Sequence, residues 1–367
     1  MRHHIHGFDY LRALFAILVV VWHADGVGFL ANLNPYLRHW INIFYYNISL
    51  LAVPTFFSIS LFLFYKKQKV EKSYLLRKRL TDLTQIYCAW MFVGIVFNSL
   101  LSRGSYLLNL LSVKSLLQTM FVGSRPELFF LFSLILMSFL SFLNSILFLR
   151  NSKNIRIQCI LAVLSLLILP IACFYTLKTG QTVFSAYWNP ICFLPYIFSS
   201  YLIVTIFDES STNSKLSKLV RQRSILVISI MFFAFIMLSW LEWKTFNMPS
   251  AFGGYLLPPY ARISLVIGSF LICYFAILYM RKLPPYLVRS LSKESLGVYL
   301  MHNYFLFIAG FLIAKLQAFQ FLQIPLKVIF NPISQCIFAV TLSIIASKVL
   351  KKYRIGRWML LSSQQPK

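Results

Sequence analysis

Acidic residues are what this chain has least of: nine Asp and Glu against 35 Lys and Arg in 367 residues, with only 12% of positions charged. With 59% hydrophobic residues and a mean hydropathy of +0.73, that leaves too little polar surface to cover a water-soluble globule of this length. Other signatures are missing too. There is no GxSxG, no Walker A loop, no CxxC or other zinc spacing, no internal repeat and no low-complexity linker. These absences remove hydrolase elbows, phosphate-loop NTPases and zinc modules from consideration. The six cysteines, Cys88, Cys159, Cys173, Cys192, Cys273 and Cys336, lie inside or at the ends of apolar runs, where they read as fillers facing core or lipid. The first apolar run has no small-residue cleavage site and is expected to be a retained helix.

What the chain does have is long apolar runs. Segments near 9–30, 41–65, 80–101, 128–149, 157–177, 187–207, 224–241, 258–280, 294–315 and 328–350 are long enough to span a bilayer. The expected fold is therefore all-α, a single polytopic membrane bundle of about ten transmembrane helices over 1–367. Pro54, Pro170, Pro195 and Pro332 fall within these runs, which membrane helices tolerate when neighbours satisfy the freed backbone. The longest polar interruptions are 66–79, 102–126, 208–223 and 242–257. The net charge of +26 follows this layout: with the N-terminus cytoplasmic, 25 basic residues fall inside, eight fall outside, and Arg12 and Arg262 lie in helices. That asymmetry places both termini in the cytoplasm. The charge is topological, and a nucleic-acid role is excluded.

The first run, Phe8 to Ala24, carries polar groups where they are costly and usually functional. Eleven residues at about 100° each return to within about 20° of the starting direction, so Arg12 and His23 share one helix face about 16 Å apart. Arg12 can equally snorkel to headgroups, and His23 can serve as an interhelical hydrogen bond. Arg77, Lys78 and Arg79 precede the third run and suit either phosphate binding or simple anchoring. On the external side the acids are Asp25, Glu127 and Glu242. Asp25 lies about 200° round the helix from His23 and points away unless the helix ends there. Glu127 is the preferred partner for His23; its other reading is an acid favoured by a helix N-terminus. His302, about 8 residues into the ninth run, is either a pocket residue or an interhelical hydrogen-bonding group.

Together these residues resemble the acyltransferase-3 family of membrane O-acyltransferases, which includes the O-acetylases of O-antigens and exopolysaccharides. The family's Arg-x10-His in the first helix is matched by Arg12 and His23 in YLRALFAILVVVWHA. AVPTFFSISLFLF (Ala52 to Phe64) is similar to its FFxxSGFL, with Leu61 where Gly is usual. YLLRKRLTDL resembles the basic approach to the third helix, with Arg77 and Arg79 as an R-x-R pair, although Asp82 and Gln85 depart from it. Glu127, in RPELFFLFSL, falls where many members carry an acid or His. SLGVYLMHNYF (Ser295 to Phe305) is close to SLGIYLxHP, with Asn303 replacing Pro.

The resemblance implies transfer of an acyl group, commonly acetyl, from cytoplasmic acyl-CoA to a hydroxyl of a surface polysaccharide or its lipid-linked precursor, in a bacterial inner membrane. No tightly bound cofactor and no metal are expected; acyl-CoA is the donor substrate, and the partners are the glycan acceptor and lipid. His23 fits a general base, since a neutral imidazole titrates near 6.5. Arg12, Arg77 and Arg79 fit the phosphates of CoA, with His302 lining the pocket. The other function class is an exporter of polysaccharide or lipid on the same fold, which would need no base on the Arg12 face.

Four further patterns lead elsewhere. His4-x4-Asp9 copies a glycerolipid acyltransferase signature belonging to an α/β domain for which this chain has no room. His3, His4 and His6 are expected to be a solvated tail. Gly26 to Ala31 imitates a dinucleotide fingerprint without a preceding strand. The Asn47-Ile48-Ser49 sequon lies inside a span. The charge asymmetry predicts that a reporter fused after Lys367 is cytoplasmic and one inserted in 102–126 external; a cytoplasmic 102–126 reporter overturns the depths assigned to His23 and Glu127.

Overall fold

The computed structural model describes residues 4–34, 36–71, 73–148, 155–212, 214–316 and 331–360. Some helical side chains, among them those of Arg77 and of 208–212 and 214–222, fall outside that description. The described chain is built of helices, with a lone bridge between Phe252 and Tyr255 as its only β pairing. In order these are α1 (His6–His23), α2 (Gly26–Leu33), α3 (Arg38–Ile48), α4 (Ala52–Val70), α5 (Leu80–Leu101), α6 (Ser105–Asn109), α7 (Val113–Val122), α8 (Phe129–Phe148), α9 (Ile155–Thr179), α10 (Leu194–Thr212), α11 (Ser214–Phe246), α12 (Ile263–Tyr279), α13 (Tyr286–Leu316), α14 (Pro332–Leu350) and α15 (Arg354–Met359).

Eight helical stretches among the described residues are long and apolar enough to cross a bilayer: Arg38–Val70, Leu80–Leu101, Pro126–Leu147, Arg156–Thr179, Pro190–Phe207, Arg223–Phe246, Tyr286–Lys315 and Pro332–Leu350. Beside them α12 is an apolar helix of 17 residues, and α1, with 18, holds Asp9 and Arg12. This is an all-α polytopic membrane protein. Three expectations change in detail. The run expected at 9–30 stops at His23, and Asp25 adopts a left-handed backbone (φ 51°) before α2 begins. The polar stretch 102–126 folds α6 and α7. The helix expected from 294 starts at Tyr286, which leaves His302 in its middle. Pro332 sits in a first turn, where its missing N–H is not needed, whereas Pro54 and Pro195 follow closely on 3-10 turns and Pro170 lies inside α9.

The chain divides into two compact units. The first, residues up to 52 and from 282 onward, packs α1 along α13 and α13 along α14. Phe8, Leu11, Phe15 and Val19 bury one face of α1, with Ala13 and Ala16 allowing close approach. Between α13 and α14 the fit depends on Gly297: a Cβ there would lie 2.4 Å from Ser347 Oγ. Ser347 and Lys351 of the α14 side donate to the buried carboxylate of Glu294, the lysine at 2.7 Å. Asn47 is buried, with its amide donating to the Ile43 carbonyl at 2.7 Å, so the sequon is not displayed.

The second unit, residues 53–281, packs α11 on α12 and α9 on α10 around an aromatic core. Phe57 stacks on Phe193 at 4.3 Å and meets Phe130 edge-on at 4.8 Å. Arg262, 1% exposed, is balanced by Glu242: Nε donates to Oε2 at 2.8 Å, while Oε1 accepts from the Ser264 backbone N–H at 2.9 Å. All six cysteines are free thiols, two exposed and four buried. The Glu242 pair generates a stability prediction. Glu242→Gln leaves a buried cation without its counter-charge and should lower stability by about 3–5 kcal/mol, whereas Glu242→Gln with Arg262→Met should recover most of the loss. Thermal unfolding in detergent reads this, and an unshifted midpoint in Glu242→Gln contradicts it.

Candidate active site

In the first unit α1 delivers His23 at its last residue, with the imidazole exposed. Helix ends leave carbonyls without intrahelical donors, and here the Trp22 carbonyl accepts a hydrogen bond from Tyr45 Oη at 2.6 Å. Trp22 and Tyr45 also stack at 4.2 Å, so α3 clamps the end of α1 beside His23. The carbonyl end of a helix favours positive charge, which suits a side chain that becomes an imidazolium on accepting a proton.

His302, fully buried in the middle of α13, faces His23 with ring centroids 5.0 Å apart. Its Nδ1 lies 2.8 Å from the Tyr299 carbonyl and 3.1 Å from that of Val298. A carbonyl only accepts, so Nδ1 carries the proton and the lone pair sits on Nε2. His23 and His302 thus form an imidazole pair on the α1–α13 seam. Sequence reasoning named both residues but did not pair them, because the register between α1 and α13 is not written in either segment. Arg12 is half-buried one turn beyond Asp9, whose charge acts on it. The Nδ1 hydrogen bonds of His302 run to carbonyls of its own helix and not to a neighbouring one, while its ring meets that of His23 on α1.

In the second unit the R-x-R pair occupies a π-helical turn, Leu75–Arg79, leading into α5. The Arg77 side chain lies outside the described residues. Arg79 does not merely snorkel: Nη2 donates to Ser60 Oγ at 2.6 Å on α4, and Nε to Ser138 Oγ at 3.3 Å on α8. Hydroxyls orient a guanidinium without neutralising it, and the Asp82 carboxylate close by in sequence also acts on its charge. Ser60 belongs to the FFSISLFLF stretch, so the second-helix motif and the R-x-R motif meet in space.

Glu127, 2% exposed, sits in a 3-10 turn (Pro126–Leu128) that opens α8, as the helix-start reading expects. Its Oε1 is 3.7 Å from Nε of Arg125, whose guanidinium lies 5.3 Å from the Phe97 ring centre. Gly123 (φ 98°) allows the preceding turn: a Cβ there would lie 2.5 Å from that of Leu128. His23 and Glu127 belong to different units, and the partner each meets within its own unit is His302 and Arg125 respectively. The acids and bases that sequence reasoning left aside are Glu242–Arg262 and Glu294–Lys351, both buried pairs. Glu242 opens the polar interruption 242–257 and Glu294 follows Lys293, so neither carried a distinct signal in the sequence. Within the expected solvated His3–His6 tract, His4 is exposed, with its Nε2 2.6 Å from Asp9 Oδ2, whereas His6 is half-buried and opens α1. His3 is outside the described residues.

These features define a helical membrane protein with a histidine pair in one unit and an oriented arginine in the other. A family profile described as an acyltransferase domain, that of the acyltransferase-3 family, matches residues 5–351. The chain belongs to that family and is an acyltransferase. No curated protein and no solved structure matches it significantly.

The imidazole pair yields a test that separates the two roles of His302. His302→Asn retains a donor near the Nδ1 position but has no Nε2, so the protein should fold while acyl transfer falls about tenfold or more, the effect of losing about 1.5 kcal/mol of polar contact. Transfer rates and melting curves for the purified variant decide it, and full activity in His302→Asn would leave the residue a purely interhelical role.

Proposed function

We propose that this acyltransferase moves an acyl group, acetyl foremost, from cytoplasmic acyl-CoA to a sugar hydroxyl of a surface polysaccharide or its lipid-linked precursor, in a bacterial inner membrane with both termini cytoplasmic. The observation that carries this reading is His23 at the carbonyl end of α1, exposed and with its ring centre 5.0 Å from that of the buried His302. Acyl transfer to an alcohol needs a base, and His23 is the group to supply it. Its neutral imidazole takes the acceptor hydroxyl proton as that oxygen attacks the thioester carbonyl. The resulting tetrahedral oxyanion collapses, the carbon–sulfur bond breaks, and the departing CoA thiolate recovers the proton from the His23 imidazolium. The histidine returns neutral, and the products are an ester and free CoA.

Donor binding falls to the cations. CoA is long and polyanionic, and Arg79, held by Ser60 and Ser138, presents fixed donors to a phosphate, with Arg77 beside it in sequence and Arg12 as a further basic group. His302 lines the His23 side of the pocket. Glu127 is the acid that this reading assigns to orienting the base; its buried position beside Arg125 equally suits a structural role.

Two sets of variants test the proposal by mass spectrometry of the glycan and by assay with acyl-CoA. His23→Ala and His23→Gln should each lose about 10²-fold or more in transfer, the usual contribution of a positioned base, while inserting normally. Arg77→Ala with Arg79→Ala should raise the apparent KM for acyl-CoA by at least about tenfold, since charged hydrogen bonds are worth about 1.5–3 kcal/mol each. Normal glycan acylation by His23→Ala protein contradicts the mechanism, and glycan that reaches the surface only when the chain is present, without being acylated, favours export.

A further inference from the structure

The start of α1 and the segment just before it carry three potential metal ligands that acyl transfer does not use. One ligating atom each from His4, His6 and Asp9 falls within 4.8 Å of the others. His4 Nε2 and Asp9 Oδ2 are 2.6 Å apart, and the rings of His4 and His6 meet edge-on with centroids 5.1 Å apart. Nδ1 of His6 is buried and makes no hydrogen bond within the described structure, so it is a nitrogen in need of a partner. The carboxylate is held from behind: Ser292 Oγ, buried on α13, donates to Asp9 Oδ1 at 3.0 Å, leaving Oδ2 for the histidine side.

We infer that His4, His6 and Asp9 form a binding site for a divalent cation of the zinc class, joining the segment before α1 to the α1–α13 seam. Two imidazoles and one carboxylate are a donor set that zinc accepts, with a fourth position open to water. Zinc–ligand bonds of about 2.0–2.2 Å in tetrahedral geometry separate ligand atoms by roughly 3.4 Å. The His4–Asp9 hydrogen bond therefore opens slightly as the ion enters, and the His6 nitrogen closes in, both within reach of side-chain rotation. Ser292 performs the outer-sphere task of fixing the carboxylate. The His4 side chain is 62% exposed, which provides an entry path. Arg12, one turn beyond Asp9, is the nearby cation that sets an upper limit on how tightly a second positive charge is held.

The test uses the full chain purified in detergent, stripped with chelator and titrated with Zn²⁺ against a chromophoric competitor, then with Co²⁺ for visible absorption. One equivalent of Zn²⁺ should bind, and Co²⁺ should give the intense ligand-field bands of a four-coordinate site. His6→Asn and Asp9→Asn should each weaken binding at least tenfold and remove those bands; Ser292→Ala should weaken it about 10–100-fold. His39→Ala, on α3, should leave binding unchanged. Elution profile and melting temperature in the absence of metal report folding for each variant. Failure of the wild-type chain to bind stoichiometrically, or binding unchanged in both His6→Asn and Asp9→Asn, overturns the inference.

Discussion

A polar group in hydrocarbon has no water to turn to, and this chain is arranged around that constraint. It has few acids to spare, and the described structure shows where most of the buried ones go. Asp9 accepts from His4 and Ser292, Glu127 sits beside Arg125, Glu242 holds Arg262, and Glu294 holds Lys351 and Ser347. Each ties neighbouring elements or a turn together within its unit. Some cations are oriented by hydroxyls instead. Arg79, oriented by Ser60 and Ser138, is the clearest case.

The α1–α13–α14 layer shows how packing places chemistry. Small residues set the spacing: Gly297 accepts Ser347 at a distance that no side chain at 297 would allow. With α14 drawn against α13, all of the SLGVYLMH stretch but Leu296 is buried, and His302 is committed to its Nδ1 tautomer by carbonyls of its own helix. Across the seam, Tyr45 fixes the end of α1 through the Trp22 carbonyl and thereby fixes His23. The SLG text is therefore a packing motif with a histidine placed one turn further along, and the Arg-x10-His text owes its length to the 18 residues of α1.

Much of this was legible beforehand. Helix existence followed from apolar length, and the family from Arg12, His23 and SLGVYLMH, because those features depend on residue type and local period alone. The end of α1 at His23 was not legible, since apolar residues continue past Asp25 and the reversal rests on a left-handed backbone at Asp25 and a hydroxyl contributed by α3. Nor was the His23–His302 pairing, which requires the register between two helices far apart in sequence. The His4–His6 tract was legible only in part for a related reason: His4 is exposed as composition suggests, but its Nε2 meets Asp9, which Ser292 of α13 holds. In each case the missing information was a long-range contact.

That a neutral imidazole at the end of α1 takes the acceptor's proton is tested most directly by the pH dependence of acyl transfer. The measurement uses purified protein in detergent, with labelled acyl-CoA and a soluble oligosaccharide acceptor at subsaturating concentration. A base must be neutral to act, so the rate should rise with pH through a single titration in the imidazole range, around 6.5, and level off above it. A rate independent of pH between about 5 and 8, with donor and acceptor unaltered over that range, would contradict the account.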